Sequence, residues 1–339
     1  VKTITIIGGG LAGLALGIGL RQRRVPTRII EALDYPRHRV CGEFISGRGL
    51  EFLEKLGLAP LIAPFSRPAW HTAFFNTRRM IGRRRLPSSA LCIARFDLDR
   101  NLAQRFQELD GELNTHCRFD GSEPGEGIVW ATGRRRQASE GGFRWFGLKA
   151  HFDRVTLEAD LEMHLHRDSY VGLCRLPGGR VNVCGLFRRG RDDNEAMNLA
   201  DRLRGPAGSL LHARLETAEV DLDSCCSIAG LSLSPALLDE KRVRIGDALT
   251  MIPPITGNGM SMAFESAASA VEPLAAYAGG RNDWATATQQ IVRTVKSRFS
   301  RRLYCARLLH RLMFSRAEGV GASLLFMPGL WRGVFSLTR

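Results

Sequence analysis

The chain has 339 residues, 44% hydrophobic, 24% charged and 8% aromatic, the proportions of an ordinary globular protein. That length corresponds to about two typical domains with a sizeable core, and it excludes disorder, collagen and a disulfide miniprotein. No charge-free apolar run reaches the ~20 residues of an ordinary membrane span. The net charge of +14 rests on arginine, because Lys2, Lys55, Lys149, Lys241 and Lys296 are the only lysines. Clusters such as Arg78-Arg79, Arg83–Arg85, Arg134–Arg136 and Arg188-Arg189 lack interleaved aromatics, zinc-finger spacing and a helix-turn-helix pattern. They read as solvated surface, and no nucleic-acid partner is expected.

The opening Val1–Ile7 alternates and then runs apolar, as a buried parallel strand does. The apolar stretch Ile4–Leu20 is rich in glycine and has no basic region ahead of it, so it reads as structure rather than a signal peptide. A helix is predicted over Leu11–Arg23, broken by Pro26, and a second strand over Thr27–Glu31, which completes a βαβ unit. Beyond an Arg- and Pro-rich loop (Asp34–Gly42), helices are predicted at Arg48–Leu56 and Phe96–Leu109, with short strands at Glu112–Cys117 and Gly127–Ala131. The centre changes character. His151–Thr156, Glu162–His166, Tyr170–Leu176 and Arg180–Phe187 read as an antiparallel meander, with Pro177-Gly-Gly179 as a turn. Arg242–Asp247 reads as a strand, followed by the loop Pro253–Gly259 and a helix from Met260 to Tyr277. The remainder is helical and basic.

Eight cysteines form no CxxC pair and no zinc-like cluster, so no metal is expected, and free thiols in the cytoplasm are the default. Gly8-x-Gly10-x-x-Gly13 follows a strand, opens a helix and is followed by Glu31 at the next strand's end. This is the full context of a dinucleotide fingerprint. Gly8 allows the tight turn, Gly10 the close approach of a pyrophosphate and Gly13 the packing of helix on strand. The helix start offers its free N–H groups to phosphate, and Glu31 would accept ribose hydroxyls.

Three further segments resemble the FAD-dependent oxidoreductases that include p-hydroxybenzoate hydroxylase-type monooxygenases, flavin halogenases and geranylgeranyl reductases. Arg37-His-Arg-Val-Cys-Gly-Glu43 is similar to the Cys-Gly-Glu segment that passes the flavin in the reductase branch. Ala131-Thr-Gly133 is similar to the glycine turn near the adenine half. Arg244-Ile-Gly-Asp247 with Pro253-Pro-Ile-Thr-Gly-Asn-Gly259 resembles the family's Gly-Asp motif and flavin loop. With the fingerprint, the resemblance spans about residues 1–275. It implies an α/β fold: a Rossmann-like FAD-binding domain of the GR2 type, an inserted antiparallel β-sheet substrate domain and a helical C-terminal segment. The corresponding division is 1–60, 90–135 and 240–280 for FAD, 61–89 and 136–239 for substrate, and 281–339 for the C-terminal segment.

The implied cofactor-binding set is Gly8, Gly10, Gly13, Glu31, Arg39, Arg95, Thr132, Gly133, Gly246, Asp247, Pro254, Thr256, Gly257, Asn258, Gly259 and Met260. Within it, Asp247 would accept a ribitol hydroxyl, and the start of the Met260 helix would face the electron-rich edge of reduced flavin. Asn258 would add a side-chain donor there. Cys41 and Glu43 are the candidate catalytic residues, and His151, His164, Tyr170 and Asn182 the candidate substrate-pocket residues. The chain departs from the hydroxylase Asp-Gly motif, the halogenase Trp-x-Trp-x-Ile-Pro signature and the reductase Tyr-x-Trp-x-Phe-Pro pattern, so halogenation is disfavoured.

The activity implied is NAD(P)H-dependent monooxygenation of a small aromatic, polyketide or isoprenoid-like molecule through a flavin C4a-hydroperoxide. The alternatives are a flavin-dependent alkene reductase and a flavin-binding interaction protein without turnover. The basic helix Arg301–Phe314 is read as packed on the FAD domain, with peripheral membrane contact as the other account. Val320–Leu330 is too short to span a bilayer.

Overall fold

The computed structural model describes residues 1–121, 125–134, 143–190, 198–231, 242–314 and 330–338. The chain opens with β1 (Ile4–Ile7), α1 (Leu11–Arg21), β2 (Thr27–Ile30), β3 (Phe44–Ile45), α2 (Gly49–Lys55) and α3 (Ala59–Ile62). There follow β4 (Arg67–Phe75), β5 (Met80–Cys92), α4 (Arg95–Glu108), β6 (Glu112–Asn114), β7 (Ile128–Trp130), β8 (Phe143–Asp153), β9 (Leu161–His166), β10 (Ser169–Arg175) and β11 (Val181–Gly190). The rest comprises α5 (Leu199–Arg204), α6 (Leu210–Leu215), β12 (Glu219–Ala229), β13 (Val243–Arg244), α7 (Gly259–Ala278), α8 (Trp284–Met313) and α9 (Leu330–Leu337).

The first sheet has the order β13-β7-β1-β2-β6, and all its pairings are parallel. Helix α1 crosses from β1 to β2. Every residue from Leu11 to Leu20 is buried, so the helix is apolar on all sides, as a helix enclosed by other elements must be. Its glycines make that possible: a Cβ at Gly17 would meet the Phe106 ring of α4 at 2.8 Å, and one at Gly19 would meet Val271 of α7 at 2.7 Å.

The second sheet has eight strands in the order β12-β8-β11-β10-β9-β4-β5-β3. The hairpins β9–β10 and β10–β11 form as the sequence predicts. The predicted meander is corrected at its ends: β8 lies beside β11 rather than β9, and β9 instead pairs in parallel with β4. Strand β8 begins at Phe143, ahead of the predicted His151. Strands β4, β5 and β12 carry no clear alternation in the sequence. Pro68 lies in β4, and Arg83–Arg85 form part of β5, where Arg83 and Arg85 are exposed and Arg84 is half-buried. The predicted strand Arg242–Asp247 pairs only at Val243 and Arg244, and Gly246–Ala248 turns as a 3-10 helix.

Strand register divides the large sheet into two faces. Leu148, Ala150, Phe152, Val171, Leu173 and Val183 point one way and pack against Leu203, Leu211 and Leu215 of α5 and α6. The opposite face carries Gly147, Lys149, His151, Asn182, Cys184, Tyr170 and Gly172. All eight cysteines are free.

Helix α8 buries Ile291, Val295, Phe299, Leu303 and Ala306 in the core shared with α1 and α7, while Tyr304, Leu308 and Leu312 are exposed. Val320–Met327 and the following two residues lie outside the described residues, as do Arg135 and Arg136. Among the described residues no helix is long and apolar enough to cross a membrane.

A buried ionic cluster adds to the apolar join between α7 and α8. Glu265 is 0% exposed and pairs with Arg302, itself 5% exposed, at 2.7 Å. Arg48 reaches the other carboxylate oxygen at 3.3 Å. Removing one partner of a buried pair leaves an uncompensated charge, so Glu265→Ala is expected to destabilise the fold by about 3–5 kcal/mol in chemical denaturation. The double replacement Glu265→Leu/Arg302→Leu is expected to recover part of that loss.

Candidate functional site

The site begins where β1 turns into α1. Gly8 has φ +107°, a conformation that L side chains rarely adopt, and a Cβ there would meet the Ala131 carbonyl oxygen at 2.4 Å. A Cβ at Gly13 would meet the Gly8 carbonyl oxygen at 2.0 Å. Gly10 differs: nothing lies within 4 Å of its missing Cβ, because it faces a cavity. Helix α1 starts there with no side-chain cap and no acidic residue in its first turn, so its first N–H groups and positive dipole end are open.

The cavity has a volume of about 580 Å³, and residues remote in sequence converge on it. Gly10, Leu11 and Ala12 meet Gly246, Asp247, Pro254, Gly257, Gly259 and Met260 across the same space. The second group opens α7, whose start also lacks a side-chain cap and an acidic first turn. Thr132, Gly133, Arg39 and Arg95 complete the predicted members of this wall, and the sequence reading missed Arg37, His38 and Arg134 beside them.

The charges on the wall are held in place. Arg95 opens α4 and grips Asp99 one turn later with two contacts of 2.8 Å, and Arg39 meets the same carboxylate at 3.0 Å. Burial opposes the charge of Arg95, but Asp99 outweighs it and keeps the guanidinium firmly protonated. The Arg39 Nη2 group is buried with no hydrogen-bond partner among the described residues. Asp247 opens into the cavity with no partner among the described residues. Its protein surroundings push its pKa up to about 6, against the opposing pull of Arg95 and Arg134.

The far wall is the second sheet. Gly147, Met163, Tyr170, Gly172, Cys184, Leu186, Cys226 and Ile228 line it, all from one face by register. Tyr170 is 5% exposed, and its hydroxyl is buried without a hydrogen-bond partner among the described residues. Cys41, Cys184 and Cys226 are also wall residues. Burial raises all three thiols, Cys226 to about 11, so they remain protonated.

Other sequence candidates are placed differently. The Glu31 carboxylate accepts the Gly9 N–H at 2.8 Å and the Leu33 N–H at 3.0 Å and pairs with Arg37 at 3.0 Å, so it braces the loop from behind the wall. Asn258 donates to the Thr338 carbonyl at 2.9 Å and thereby ties α9 to the start of α7, rather than facing the cavity. The Thr256 hydroxyl donates to the Pro253 carbonyl at 3.0 Å.

Glu43 has φ +58° and a wholly buried carboxylate that accepts the Arg95 N–H at 3.0 Å and meets His151 Nε2 at 2.7 Å and Lys149 Nζ at 3.5 Å. Asn182 donates to the Cys41 carbonyl at 2.9 Å and so supports the loop instead of lining the cavity. His151 lies beneath the loop for the same reason. His164 is a correction of another kind: it falls on the opposite face of β9 from Met163, stacks on Phe75 at 4.5 Å and cannot reach the cavity.

Residues 1–141 match the protein family described as FAD binding domain. The whole chain resembles solved structures of flavoproteins. The flavin-dependent brominase Bmp2 is 17% identical with a TM-score of 0.75 over 99% of this chain and 93% of its own. HpxO of Klebsiella pneumoniae, an R204Q variant complexed with FAD, is 16% identical with a TM-score of 0.74 over 99% and 97%. PqsL, a probable FAD-dependent monooxygenase from Pseudomonas aeruginosa, is 14% identical with a TM-score of 0.70 over 99% and 100%. No curated protein matches the chain. The fold is therefore that of the FAD-dependent monooxygenases and halogenases, with an FAD-binding domain at its start, as the sequence resemblance implies.

The cavity fits FAD on its own chemistry. Two uncapped helix starts and an unpartnered Arg39 nitrogen suit phosphate and an electron-rich ring edge, and the free Asp247 carboxylate suits a hydroxyl. Gly10→Val is expected to leave the fold intact and abolish FAD retention, because its side chain fills the cavity; Gly13→Val is expected to prevent folding. Circular dichroism and flavin absorbance of the two purified proteins check this. A hydroxyl donating to Asp247 favours the ionised carboxylate, so FAD affinity should rise about tenfold between pH 5 and pH 7 and level off above that. Fluorescence titration should show that slope in the native chain and none in Asp247→Asn.

Proposed function

We propose that this chain, whose residues 1–141 are an FAD-binding domain, is a monooxygenase that takes electrons from NAD(P)H and hydroxylates a small, neutral, apolar or aromatic molecule. The observation that carries the reading is the continuity of one cavity from the glycine turn at Gly10 to the sheet face bearing Tyr170 and Gly172. Bound there, FAD supplies hydride acceptance and oxygen activation. The chain's own residues bind, orient and exclude water.

Among the described residues, none of those from the large sheet that line the cavity is charged: Met163, Leu186 and Ile228 are apolar, and Gly147 and Gly172 leave room above the sheet. Such a wall favours a neutral ligand and keeps water away from a reactive centre. Tyr170 adds a buried hydroxyl with no partner among the described residues, which gains one when the ligand carries an oxygen or nitrogen. The basic side chains come from the other wall, where Arg37, Arg39, Arg95 and Arg134 meet the cavity. This separation of charged and apolar walls supports a cofactor held against the first and substrate against the second.

Alkene reduction is the second reading. Cys41 favours it, being a protonated thiol on the wall and thus a proton source. Glu43 also lines the cavity but adds little, since its carboxylate is already engaged by His151 and Lys149.

One experiment separates the readings. The visible spectrum of the purified protein is recorded, NADPH or NADH is added without air, and oxygen is then admitted in the presence of phenols and other small aromatics. Bleaching followed by oxygen uptake matched to hydroxylated product is the expected result. Reduction of an alkene without oxygen supports the second reading, and yellow protein that no nicotinamide reduces indicates a flavin-binding protein without turnover. For an oxygen-bearing substrate, Tyr170→Phe is expected to raise KM about tenfold while kcat changes less, the effect of one lost hydrogen bond.

A further inference from the structure

His38 stands on the cavity wall, yet its surroundings lie in the other sheet. Its ring stacks on Phe96 of α4 with centroids 4.7 Å apart and meets the edge of His151 at 5.2 Å. Its Nδ1 is 3.0 Å from Lys149 Nζ. Lys149 is 1% exposed and also lies 3.5 Å from the Glu43 carboxylate, so it sits as an ammonium against a buried anion.

An ammonium holds donors only, so His38 Nδ1 must be the acceptor. That assigns the ring proton to Nε2, for which no described residue is a partner. A buried lysine 111 residues away in sequence thus sets the tautomer of a histidine that faces the ligand. The same surroundings keep the ring neutral. Burial lowers the His38 pKa to about 4, reinforced by Lys149 and His151 and opposed more weakly by Glu43 and Asp221. These groups come from β8, from the residue before β3 and from β12, while α4 contributes the uncharged Phe96.

We propose that His38 binds the flavin nucleotide as a fixed neutral donor: Lys149 holds its Nδ1, and its Nε2–H meets an acceptor oxygen or nitrogen of the cofactor. The inference rests on the reading that FAD occupies this cavity. A neutral imidazole in this role can donate to an electron-rich acceptor without gaining or losing a proton across the neutral range. Lys149 and Glu43 are then positioning residues, which explains a buried ion pair directly beneath the cavity wall.

The test is nitrogen NMR on the full chain labelled with ¹⁵N-histidine, with His38→Gln assigning the resonance. The native apoprotein should show His38 with an acceptor Nδ1, a protonated Nε2 and no protonation between pH 8 and pH 5. Lys149→Met should give a tautomer mixture, and the ring should protonate at a higher pH than in the native chain while burial still holds it below the ordinary value. The double variant Lys149→Met/Glu43→Gln, which removes both charges together, should do the same. Adding FAD to the native apoprotein should quench flavin fluorescence and shift the His38 Nε2–H signal. FAD affinity should fall about tenfold in His38→Phe and less than about threefold in His38→Gln, which keeps a neutral donor.

Native His38 protonating above pH 6, a dominant Nδ1–H tautomer, or an unchanged pattern in both lysine variants overturns the proposal. FAD binding without movement of the His38 signal overturns it while the cofactor reading stands. Absence of FAD binding to the native chain overturns both.

Discussion

The contact between the Gly13 position of α1 and the carbonyl of Gly8 carries the rest of the molecule. A single methyl group at that point would lie 2.0 Å from a backbone oxygen that has nowhere to go, since Gly8 is itself pressed on Ala131 of the neighbouring strand end. Only with both side chains absent can a helix start directly against the sheet. Its open N–H groups then point into a space rather than into a cap. Gly17 and Gly19 extend the same condition along the helix, which lets α4 and α7 close on it from two sides. The position of α7 follows from that packing, and with it the second open helix start at Gly259.

The segment between Arg37 and Phe44 is the other half of the construction. It belongs to neither sheet over most of its length, yet both hold it. Asn182 of β11 holds the Cys41 carbonyl, Cys174 of β10 donates its thiol to the Glu43 carbonyl at 3.5 Å, and Ile93 donates its N–H to the same oxygen at 3.0 Å. The Glu43 side chain reaches the first turn of α4 and the buried Lys149 and His151 of β8. A glutamate in the left-handed region is costly, and it persists where the surroundings hold it from several directions. The result is a rigid strip of chain along the cavity, with its charges neutralised underneath and its backbone and His38 turned toward the space above. The two sheets are thus linked through hydrogen bonds that position one loop.

The sheet contributes by alternation. One face is given over to the core with α5 and α6; the other carries, beside the buried Lys149, His151 and Asn182, the small, apolar and thiol side chains that line the cavity across five strands in register. Glycines at 147 and 172 on that face leave a recess, and the bulky residues Tyr170, Met163 and Leu186 bound it. Because the chemistry of that wall is apolar while the facing wall is rich in arginine, the cavity is polar on one side and apolar on the other.

Local signals carried much of this. The fingerprint at Gly8–Gly13, the βαβ unit, the hairpin at Pro177–Gly179 and the Gly-Asp and Pro-Gly segments are legible because backbone conformation restricts which residues can occupy them. Strands β4, β5 and β12 were not legible, since arginine and proline in them obscure the period of two that a half-buried strand shows. Tertiary structure decided what lies on which face. His164 and Met163 are adjacent in sequence, but one stacks in the core and the other lines the cavity, because a strand turns successive side chains to opposite sides. Only folding could bring Lys149 to His38, or Thr338 to Asn258, since nothing within either segment encodes a partner eighty or more residues away. By itself the sequence determined where the backbone can turn and where a helix can begin bare; the tertiary structure decided which side chains those openings face, because facing is a property of register and packing between segments.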